Sequence, residues 1–249
     1  MWAKPAYAGF AHREVRMEKN LIDSCENCLH DEPAASTAWC PIHVDVVSFM
    51  GEMEKGDFKK AYKLLEKRMP FAGIIGMICD HPCESACVRN KLDEAIAVSE
   101  LERAAVSYGK TPPKKGLPVP KTGGRVAIVG GGISGLTAAY ELDRKGFEVT
   151  IIEASDRLGG SFWSFEGAKL TKEAIEEELK TLYNLSISVR LNQRVDGDEL
   201  NKLITQYDAV FLATGEWERK LEVDSQTFMV RDMPLFAGGG LVYDNNSVI

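Results

Sequence analysis

Apolar residues recur at helical spacing through the first half of the chain, from about residue 21 to residue 108. One predicted helix covers DFKKAYKLLEKR, with Asp57 as its N-cap and an apolar face made of Phe58, Ala61, Tyr62 and Leu65. A second covers SELERAAVSYG, with Ser99 as its N-cap and Gly109 at its C-terminal end. No stretch of this half alternates as a half-buried strand would, so the pattern predicts an α-helical region.

The second half of the chain changes to strands that alternate with helices. The apolar strand RVAIVG is followed by a helix over about residues 134–145 and by a second strand, FEVTIIE. Further strands are predicted in LSISVRL and AVFLATG, and further helices in TKEAIEEELKTLY and GDELNKLI. Such alternation is typical of a parallel sheet covered by helices. We therefore expect a Rossmann-like α/β domain here.

A segment rich in proline and glycine separates the two patterns. Residues 110–124, KTPPKKGLPVPKTGG, contain four prolines and three glycines, which exclude a continuous helix. We predict a helical domain over residues 1–109, a linker over 110–124 and an α/β domain over 125–249. A chain of 249 residues is long enough for two such domains. The expected fold class is an α+β chain of two domains.

Composition and charge narrow the class of protein. Hydrophobic residues make up 45% and charged residues 27% of the chain, and the net charge is −7, which argues against nucleic acid as a partner. No apolar run is long enough to span a membrane, and the first residues lack the core of a signal peptide. The expected location is the cytoplasm, where cysteines stay reduced. All six cysteines lie between Cys25 and Cys87, which indicates metal or redox chemistry in the helical half.

A glycine fingerprint lies where the strand RVAIVG turns into its helix. Gly130 permits the tight turn, Gly132 allows a pyrophosphate to approach the backbone, and Gly135 lets the helix pack close to the strand. The start of the helix, at Ile133 and Ser134, then offers free amides to the anion. Glu153 closes the next strand, 23 residues after Gly130, where its carboxylate suits a ribose. These features predict a dinucleotide site, with a glycine-rich turn and an empty site as the alternative.

Later residues resemble the two-dinucleotide-binding flavoprotein superfamily. Arg157, Gly159 and Gly160 follow Glu153 as in its E-x-x-x-R-x-G-G extension, and the strand DAVFLATG ends in Thr214 and Gly215, as in that superfamily. The resemblance implies FAD as the cofactor. It aligns Gly239 with an aspartate that contacts the FAD ribityl chain. Only 22 residues separate Gly215 from Gly238, too few for a second nucleotide domain, so we predict no NAD(P) site on this chain.

The six cysteines are grouped at spacings that suit metal ligands. Cys25 and Cys28 form a C-x-x-C pair, Cys40 precedes a proline, and Cys79, Cys83 and Cys87 follow one another four residues apart. Thiolates one helical turn apart can bind one inorganic cluster, and a proline after a cluster cysteine recurs in ferredoxins. The spacing predicts an iron–sulfur site, with a structural zinc site as the alternative.

The order of these motifs resembles one family of iron–sulfur flavoproteins. C-x-x-P-C-E-x-x-C followed by AIAVSELER, within residues 18–109, is similar to the helical domain shared by glutamate synthase small subunit, dihydropyrimidine dehydrogenase and the large subunit of NADH-dependent ferredoxin:NADP oxidoreductase. In that family the FAD domain comes next. The resemblance implies an alpha-helical ferredoxin domain with two interleaved [4Fe–4S] clusters, one held by Cys40, Cys79, Cys83 and Glu102, the other by Cys25, Cys28 and Cys87.

This chain lacks the fourth cysteine that the family uses for the second cluster. Pro33 stands where the family has a cysteine. Either His30 or Asp31 supplies the ligand, or these are exposed loop residues and the site holds [3Fe–4S] or stays empty. The expectation is thus one or two [4Fe–4S] clusters. We interpret His81 as structural and Glu84 as a local capping or pairing residue.

Two aromatic residues and the function complete the expectations. Phe162 and Trp163 replace a Gly-Ile-Pro segment of the family and either cover the flavin ring or belong to the core. The resemblance implies an oxidoreductase component that relays electrons between FAD and [4Fe–4S] clusters, and no set of acid–base or nucleophilic residues stands out as a catalytic site. Its partners would be other subunits of a larger complex or redox proteins such as ferredoxin. The alternatives are an NAD(P)H-dependent enzyme with its nucleotide domain elsewhere, and a non-redox scaffold with zinc or empty cysteines.

Overall fold

The computed structural model describes residues 33–91, 93–111, 120–167, 169–218 and 220–243. Cys25, Cys28, His30 and Asp31 lie outside the described residues, so the predictions made for them remain predictions. None of the helices in the described ranges is both long and apolar enough to cross a membrane.

The described part of the first half is helical. Its α-helices are α1 (Ala35–Ala38), α2 (Val46–Glu54), α3 (Phe58–Glu66), α4 (Ala72–Ile78), α5 (Pro82–Ser85) and α6 (Val98–Gly109), with a 3-10 turn at Val88–Lys91. The predicted N-cap of α3 is confirmed, because Asp57 accepts a hydrogen bond from the Lys60 amide at 3.0 Å. The predicted face of α3 is buried at Ala61, Tyr62 and Leu65. It packs against α2 and α6.

Helix α6 differs from its prediction at its start. It begins at Val98, one residue before the predicted cap, and its N-cap is Ala97 without a side-chain hydrogen bond. Ser99 is therefore not the cap. Its amide instead donates to Glu84 Oε1 at 2.7 Å, so a carboxylate from the α5 region satisfies this helix end. Gly109 does end the helix, and a Cβ there would lie 1.9 Å from the Phe58 carbonyl oxygen, so glycine allows close packing of α6 on α3.

The second half is built on a five-stranded sheet. The strands are β1 (Arg125–Val129), β2 (Glu148–Ile152), β3 (Ile187–Arg190), β4 (Ala209–Leu212) and β5 (Leu235–Ala237). Their order is β3-β2-β1-β4-β5 and every pair is parallel, which confirms the predicted parallel α/β sheet. Strands are added to one side of β1 as far as β3 and then to its other side from β4, so the strand order reverses between β1 and β4. In such folds ligands bind outside the carboxyl ends of the strands at that point.

Helices connect the strands where they were predicted. They are α7 (Ile133–Arg144), α8 (Lys172–Leu179) and α9 (Gly197–Gln206). α8 is shorter than predicted, because the chain tightens into a 3-10 turn over Lys180–Asn184. Two further 3-10 turns lie at Gly160–Phe165 and Gly239–Leu241.

The two halves share one hydrophobic core. A single cluster of buried residues includes Leu65 and Ile74 from the helical half and Ile128 and Leu136 from the α/β half. The rings of Phe71 and Phe162 meet edge to face across the boundary, with centroids 5.9 Å apart. Both rings are fully buried, so Phe162 belongs to the core and does not cover a flavin.

Candidate functional site

The turn between β1 and α7 requires glycine at two of the fingerprint positions. Gly130 has a φ of +109°, and a Cβ there would lie 2.3 Å from the Ala213 carbonyl oxygen. A Cβ on Gly135 would lie 2.0 Å from the Gly130 carbonyl oxygen. Both distances are far below van der Waals contact, so no larger residue fits without moving the strand or the helix.

The amino terminus of α7 is open toward the carboxyl ends of the strands. Gly132 is its N-cap in an extended conformation, and no side chain caps it. The first intrahelical bond joins the Leu136 amide to the Gly132 carbonyl at 2.9 Å. The amides of Ile133, Ser134 and Gly135 precede that bond, so the helix provides them with no partner. An α-helix of 12 residues that starts in this way offers donors and a partial positive charge to an anion.

The loop after β2 closes on the fingerprint. Gly159 and Gly160 both have positive φ, at +112° and +48°. The Gly159 amide donates to the Gly131 carbonyl at 2.8 Å, and a Cβ on Gly160 would lie 2.8 Å from Gly132 Cα. The two glycine segments thus touch backbone to backbone. Sequence reasoning does not select Gly131, because the fingerprint allows any residue there, yet its amide and carbonyl both bind neighbouring loops.

Glu153 is a charged carboxylate held beside the fingerprint. Its Oε2 accepts from the Gly131 amide at 2.6 Å, and its Oε1 accepts from the Ser155 amide at 2.7 Å and from Ser155 Oγ at 2.8 Å. Burial by itself would raise the pKa of Glu153, but these hydrogen bonds outweigh it and lower the pKa below its ordinary value. A carboxylate has room for further donors, so a ribose hydroxyl can still bind.

The ends of β4 and β5 border the same opening. The Ala213 amide donates to Val129, which places Thr214 and Gly215 just beyond the end of β1. Gly215 has a φ of +90° and open space around its Cα. A Cβ on Gly239 would lie 3.2 Å from Ser134 Oγ, so Gly239 reaches the start of α7.

Arg157 is the predicted residue whose surroundings were not foreseen. Its guanidinium lies over the ring of Trp163, 4.1 Å from the centroid. The Trp163 indole in turn donates to the Leu158 carbonyl at 2.8 Å. The pair forms a cation–π stack within the loop after β2. The remaining predicted residues leave a cradle of glycine backbone and free amides, which fits the pyrophosphate of a dinucleotide.

Three candidate cluster cysteines lie in one part of the helical half. Cys79 is the C-cap of α4, Cys83 lies in α5, and Cys40 follows α1, which packs against α5. Burial, followed by the negative charges of Glu102, Cys40 and Cys79, raises the pKa of Cys83 to about 12. Burial also raises the pKa of Cys79, with Glu102 and Cys40 acting in the same direction. The four predicted ligands of one cluster are therefore close enough to interact electrostatically.

Glu102 is buried, which is unusual for a helix carboxylate. It is 7% exposed, and burial, reinforced by the charge of Glu84, raises its pKa to about 7. Gly76 of α4 lies beside it, since a Cβ on Gly76 would be in ordinary van der Waals contact with Glu102 Oε2, at 3.8 Å. A buried carboxylate beside buried thiols is stable in its charged form only when a cation is present.

His81 contacts both kinds of candidate ligand. Its amide donates to Cys79 Sγ at 3.3 Å, which a left-handed backbone with a φ of 51° makes possible. Its Nε2 lies 3.9 Å from Glu102 Oε2 and has no hydrogen-bond partner in the described structure. Amide donors to cluster sulfurs are one of the levers by which a protein tunes an iron–sulfur cluster.

The candidate ligands in the described part of the chain are not gathered around a single metal ion. Within the described ranges, no three cysteine, histidine or acidic side chains are grouped closely enough to hold one metal ion. In a cluster each thiolate binds a different iron, so its ligands stand farther apart than the ligands of zinc. Cys87 is partly buried, and its predicted companions Cys25 and Cys28 lie outside the described residues. Glu84 has a capping role, as predicted, because it accepts a hydrogen bond from the Ser99 amide, but the helix end that it caps lies 15 residues along the chain and is not local.

Comparison with known proteins matches both halves of the chain. Residues 9–112 match the family model "dihydropyrimidine dehydrogenase domain II, 4Fe-4S cluster". Residues 128–174 match an NAD(P)-binding Rossmann-like domain. The predicted resemblance is confirmed. The chain has an iron–sulfur domain followed by a Rossmann-like domain. Because the second model is described as NAD(P)-binding, it counts against the predicted absence of an NAD(P) site.

Curated relatives resemble the chain at moderate identity. The NADP(+)-dependent formate dehydrogenase subunit beta of Moorella thermoacetica is 31% identical over 71% of this chain and 28% of its own length. The glutamate synthase [NADPH] small chain of Bacillus subtilis is 32% identical over 74% of this chain and 38% of its own length. The subunit PreT of an NAD-dependent dihydropyrimidine dehydrogenase from Salmonella typhimurium is 27% identical over 78% and 48%.

These relatives are oxidoreductase subunits, the class that the sequence predicts. The chain spans less than half of the length of each of the three. Among solved structures, histamine dehydrogenase from Rhizobium sp. 4-9 gives a TM-score of 0.29 at 24% identity over 42% of this chain and 16% of its own length. That similarity is too low to support an inference.

Proposed function

We propose that this chain is an electron-transfer flavoprotein subunit of a larger oxidoreductase complex. FAD would occupy the glycine cradle at the carboxyl ends of β1, β4 and β5, and a [4Fe–4S] cluster would be held by Cys40, Cys79, Cys83 and Glu102. The domain boundaries at residues 109 and 125 and the alpha-helical ferredoxin form belong to this proposal. So do the cytoplasmic location, which suits reduced thiols, and the second cluster at Cys25, Cys28 and Cys87.

One observation carries the proposal: a path of residues, buried at its centre, joins the two candidate sites. α4 runs from Phe71, its N-cap, to Cys79, its C-cap. At the helical rise per residue this is a distance of about 12 Å. Phe71 contacts Phe162, which comes two residues after Gly160, and Gly160 lies against Gly132 of the fingerprint. Electrons between the two cofactors would pass the fully buried rings of Phe71 and Phe162, while Gly160 at the dinucleotide end of the path is exposed.

The protein's own residues would bind and orient the cofactors. FAD exchanges two electrons and an iron–sulfur cluster one, so together they convert paired electrons to single ones. The amides of Ile133 to Gly135 would bind the pyrophosphate, and Glu153 would accept hydrogen bonds from the ribose. Buried Cys79 and Cys83 would bind iron as thiolates, and the His81 amide would donate to the sulfur of Cys79.

A second candidate function is an NAD(P)H-dependent enzyme. The description of the matching Rossmann-like domain favours it, and of the three relatives described above two are named for NADP(+) or NADPH and the third for NAD. In that case either this chain's own site takes the nicotinamide nucleotide, or a nucleotide domain elsewhere delivers the electrons. Other subunits or a ferredoxin would then accept them.

Cofactor analysis of the full chain, purified without oxygen, tests the proposal. The expected result is about four irons and four sulfides per chain for one cluster, or about eight of each for two, with extractable FAD. Bleaching of the flavin by NADPH alone would favour the second candidate, whereas reduction by dithionite but not by NADPH supports the first. A colourless preparation that contains zinc, or neither iron nor FAD, would contradict both.

A further inference from the structure

Glu178 is a buried acidic residue on α8 that is not among the residues of the dinucleotide site. Its side chain is 6% exposed, whereas that of its neighbour Glu177 is 65% exposed and pairs with Lys180 at the surface. Because a buried carboxylate is costly without a charged partner, its contacts indicate a specific role.

The Glu178 carboxylate contacts the segment that follows α6. Its Oε1 accepts a hydrogen bond from Lys110, whose side chain is 19% exposed. Lys110 is the C-cap of α6, the helix that carries Glu102. The ion pair therefore joins the α/β half to α6, one of the helices that hold candidate cluster ligands.

The same carboxylate contacts α4, the helix that ends at Cys79. A Cβ on Gly73 of α4 would lie 2.4 Å from Glu178 Oε1 and 2.8 Å from its Cδ, so the carboxylate packs directly against this glycine and a larger residue would displace it. Six residues later α4 is followed by Cys79. Oε2 of Glu178 is buried and has no hydrogen-bond partner in the described structure. Oε1 therefore makes the hydrogen bond that holds the carboxylate in place.

We propose that Glu178 is a positioning residue, which fixes the distance between the iron–sulfur half and the dinucleotide site by binding α4 and α6, two of the helices that carry cluster ligands. The inference rests on the proposed electron transfer between these sites. The Phe71–Phe162 contact holds the halves together by apolar packing, and the Glu178 carboxylate adds a directional contact, since it lies against Gly73 and is bonded to Lys110. This three-way contact makes the spacing of the two cofactors reproducible.

The test compares the full-length loaded protein with Glu178→Gln and with the matched surface variant Glu177→Gln. The flavin is reduced by a light flash, and the subsequent reduction of the cluster is followed by absorbance. Hydrogen exchange of residues 72–78 and 160–165 reports the boundary directly. We expect Glu178→Gln to keep its iron and FAD, to exchange faster at the boundary, and to transfer electrons several-fold more slowly, since the rate of electron tunnelling falls exponentially as the distance between cofactors grows. Glu177→Gln should match the unmodified protein.

A second variant separates positioning from stability. Lys110→Met combined with Glu178→Leu replaces the pair by apolar side chains, a change that often leaves stability unaltered or improves it. If Glu178 acts only through stability, this double variant transfers electrons at the original rate, and that result would overturn the inference, as would a normal rate in Glu178→Gln. Slow transfer in a stable double variant supports it. Absence of any transfer in the unmodified protein would instead refute the proposed function itself.

Discussion

The two candidate sites are specified in different ways. The dinucleotide cradle is specified by backbone contacts: Gly130, Gly135 and Gly160 stand where a Cβ would collide with another backbone atom. The cysteine site is specified by side chains that burial disfavours in their charged form, as the raised pKa values of Cys83 and Glu102 show. The shape of the first site depends on the backbone itself. The second needs the cations of a cluster to stabilise its thiolates.

The strongest test of this comparison is Cys83→Ser. Cys83 is buried, and its serine variant offers a poor ligand to iron, so we expect loss of about four irons per chain together with weaker folding of the helical half. Iron analysis and circular dichroism measure both effects. The neighbouring exposed residue provides the control, Ser85→Ala, which should keep its iron. Full iron in Cys83→Ser would rule out the ligand set.

Gly135→Ala tests the backbone side of the comparison. The added methyl would meet the Gly130 carbonyl, so α7 has to move from β1, at a cost of about 1–3 kcal/mol in unfolding free energy and with loss of FAD. Gly197→Ala is the matched control, because nothing lies within 4 Å of the added atom at the start of α9. Thermal unfolding and flavin content report the outcome. Equal flavin content in the two variants would show that the cradle tolerates movement.

Glu153→Gln separates charge from shape within the cradle. The amide keeps the size of the side chain but loses the charged acceptor, which is worth about 1.5–3 kcal/mol for a hydrogen bond to a charged group. We expect FAD to bind about 10- to 100-fold more weakly. Titration of the flavin-free protein with FAD measures the affinity. A loss with NADPH but not with FAD would assign the site to the nicotinamide nucleotide.

The smallest expected effect concerns the cap that Glu84 provides. Glu84→Ala leaves the Ser99 amide without its acceptor, which should cost about 1 kcal/mol of unfolding free energy. Because α6 carries Glu102, the iron should also be released faster to a chelator. Glu100→Ala, at an exposed carboxylate of the same helix, should change neither quantity. Identical chelation rates in the two variants would remove Glu84 from the support of the cluster.

The parts of the fold that the sequence predicts are those that depend on near neighbours. Asp57 caps a helix three residues away, and the fingerprint glycines act on one turn. Ser99 was the wrong cap because its amide found Glu84, 15 residues earlier.

The boundary between the halves depends on partners that are distant in the sequence. Segment KEAIEEEL contains four glutamates with similar local surroundings, but only Glu178 is buried. What distinguishes it is Lys110, 68 residues away, and the notch at Gly73. The core position of Phe162 likewise requires Phe71, and no periodicity in either segment predicts that pair.

Gly73 and Gly76 give α4 a consequence for protein engineering. Gly73 packs against the carboxylate of Glu178 in the α/β half, and Gly76 lies beside Glu102, within a helix of seven residues. A chimera that joins the iron–sulfur half of one relative to the flavin half of another would therefore have to match residues 72–78 to both neighbours at once. An exchange point placed after this helix would separate Gly73 from Glu178, two residues that are in contact.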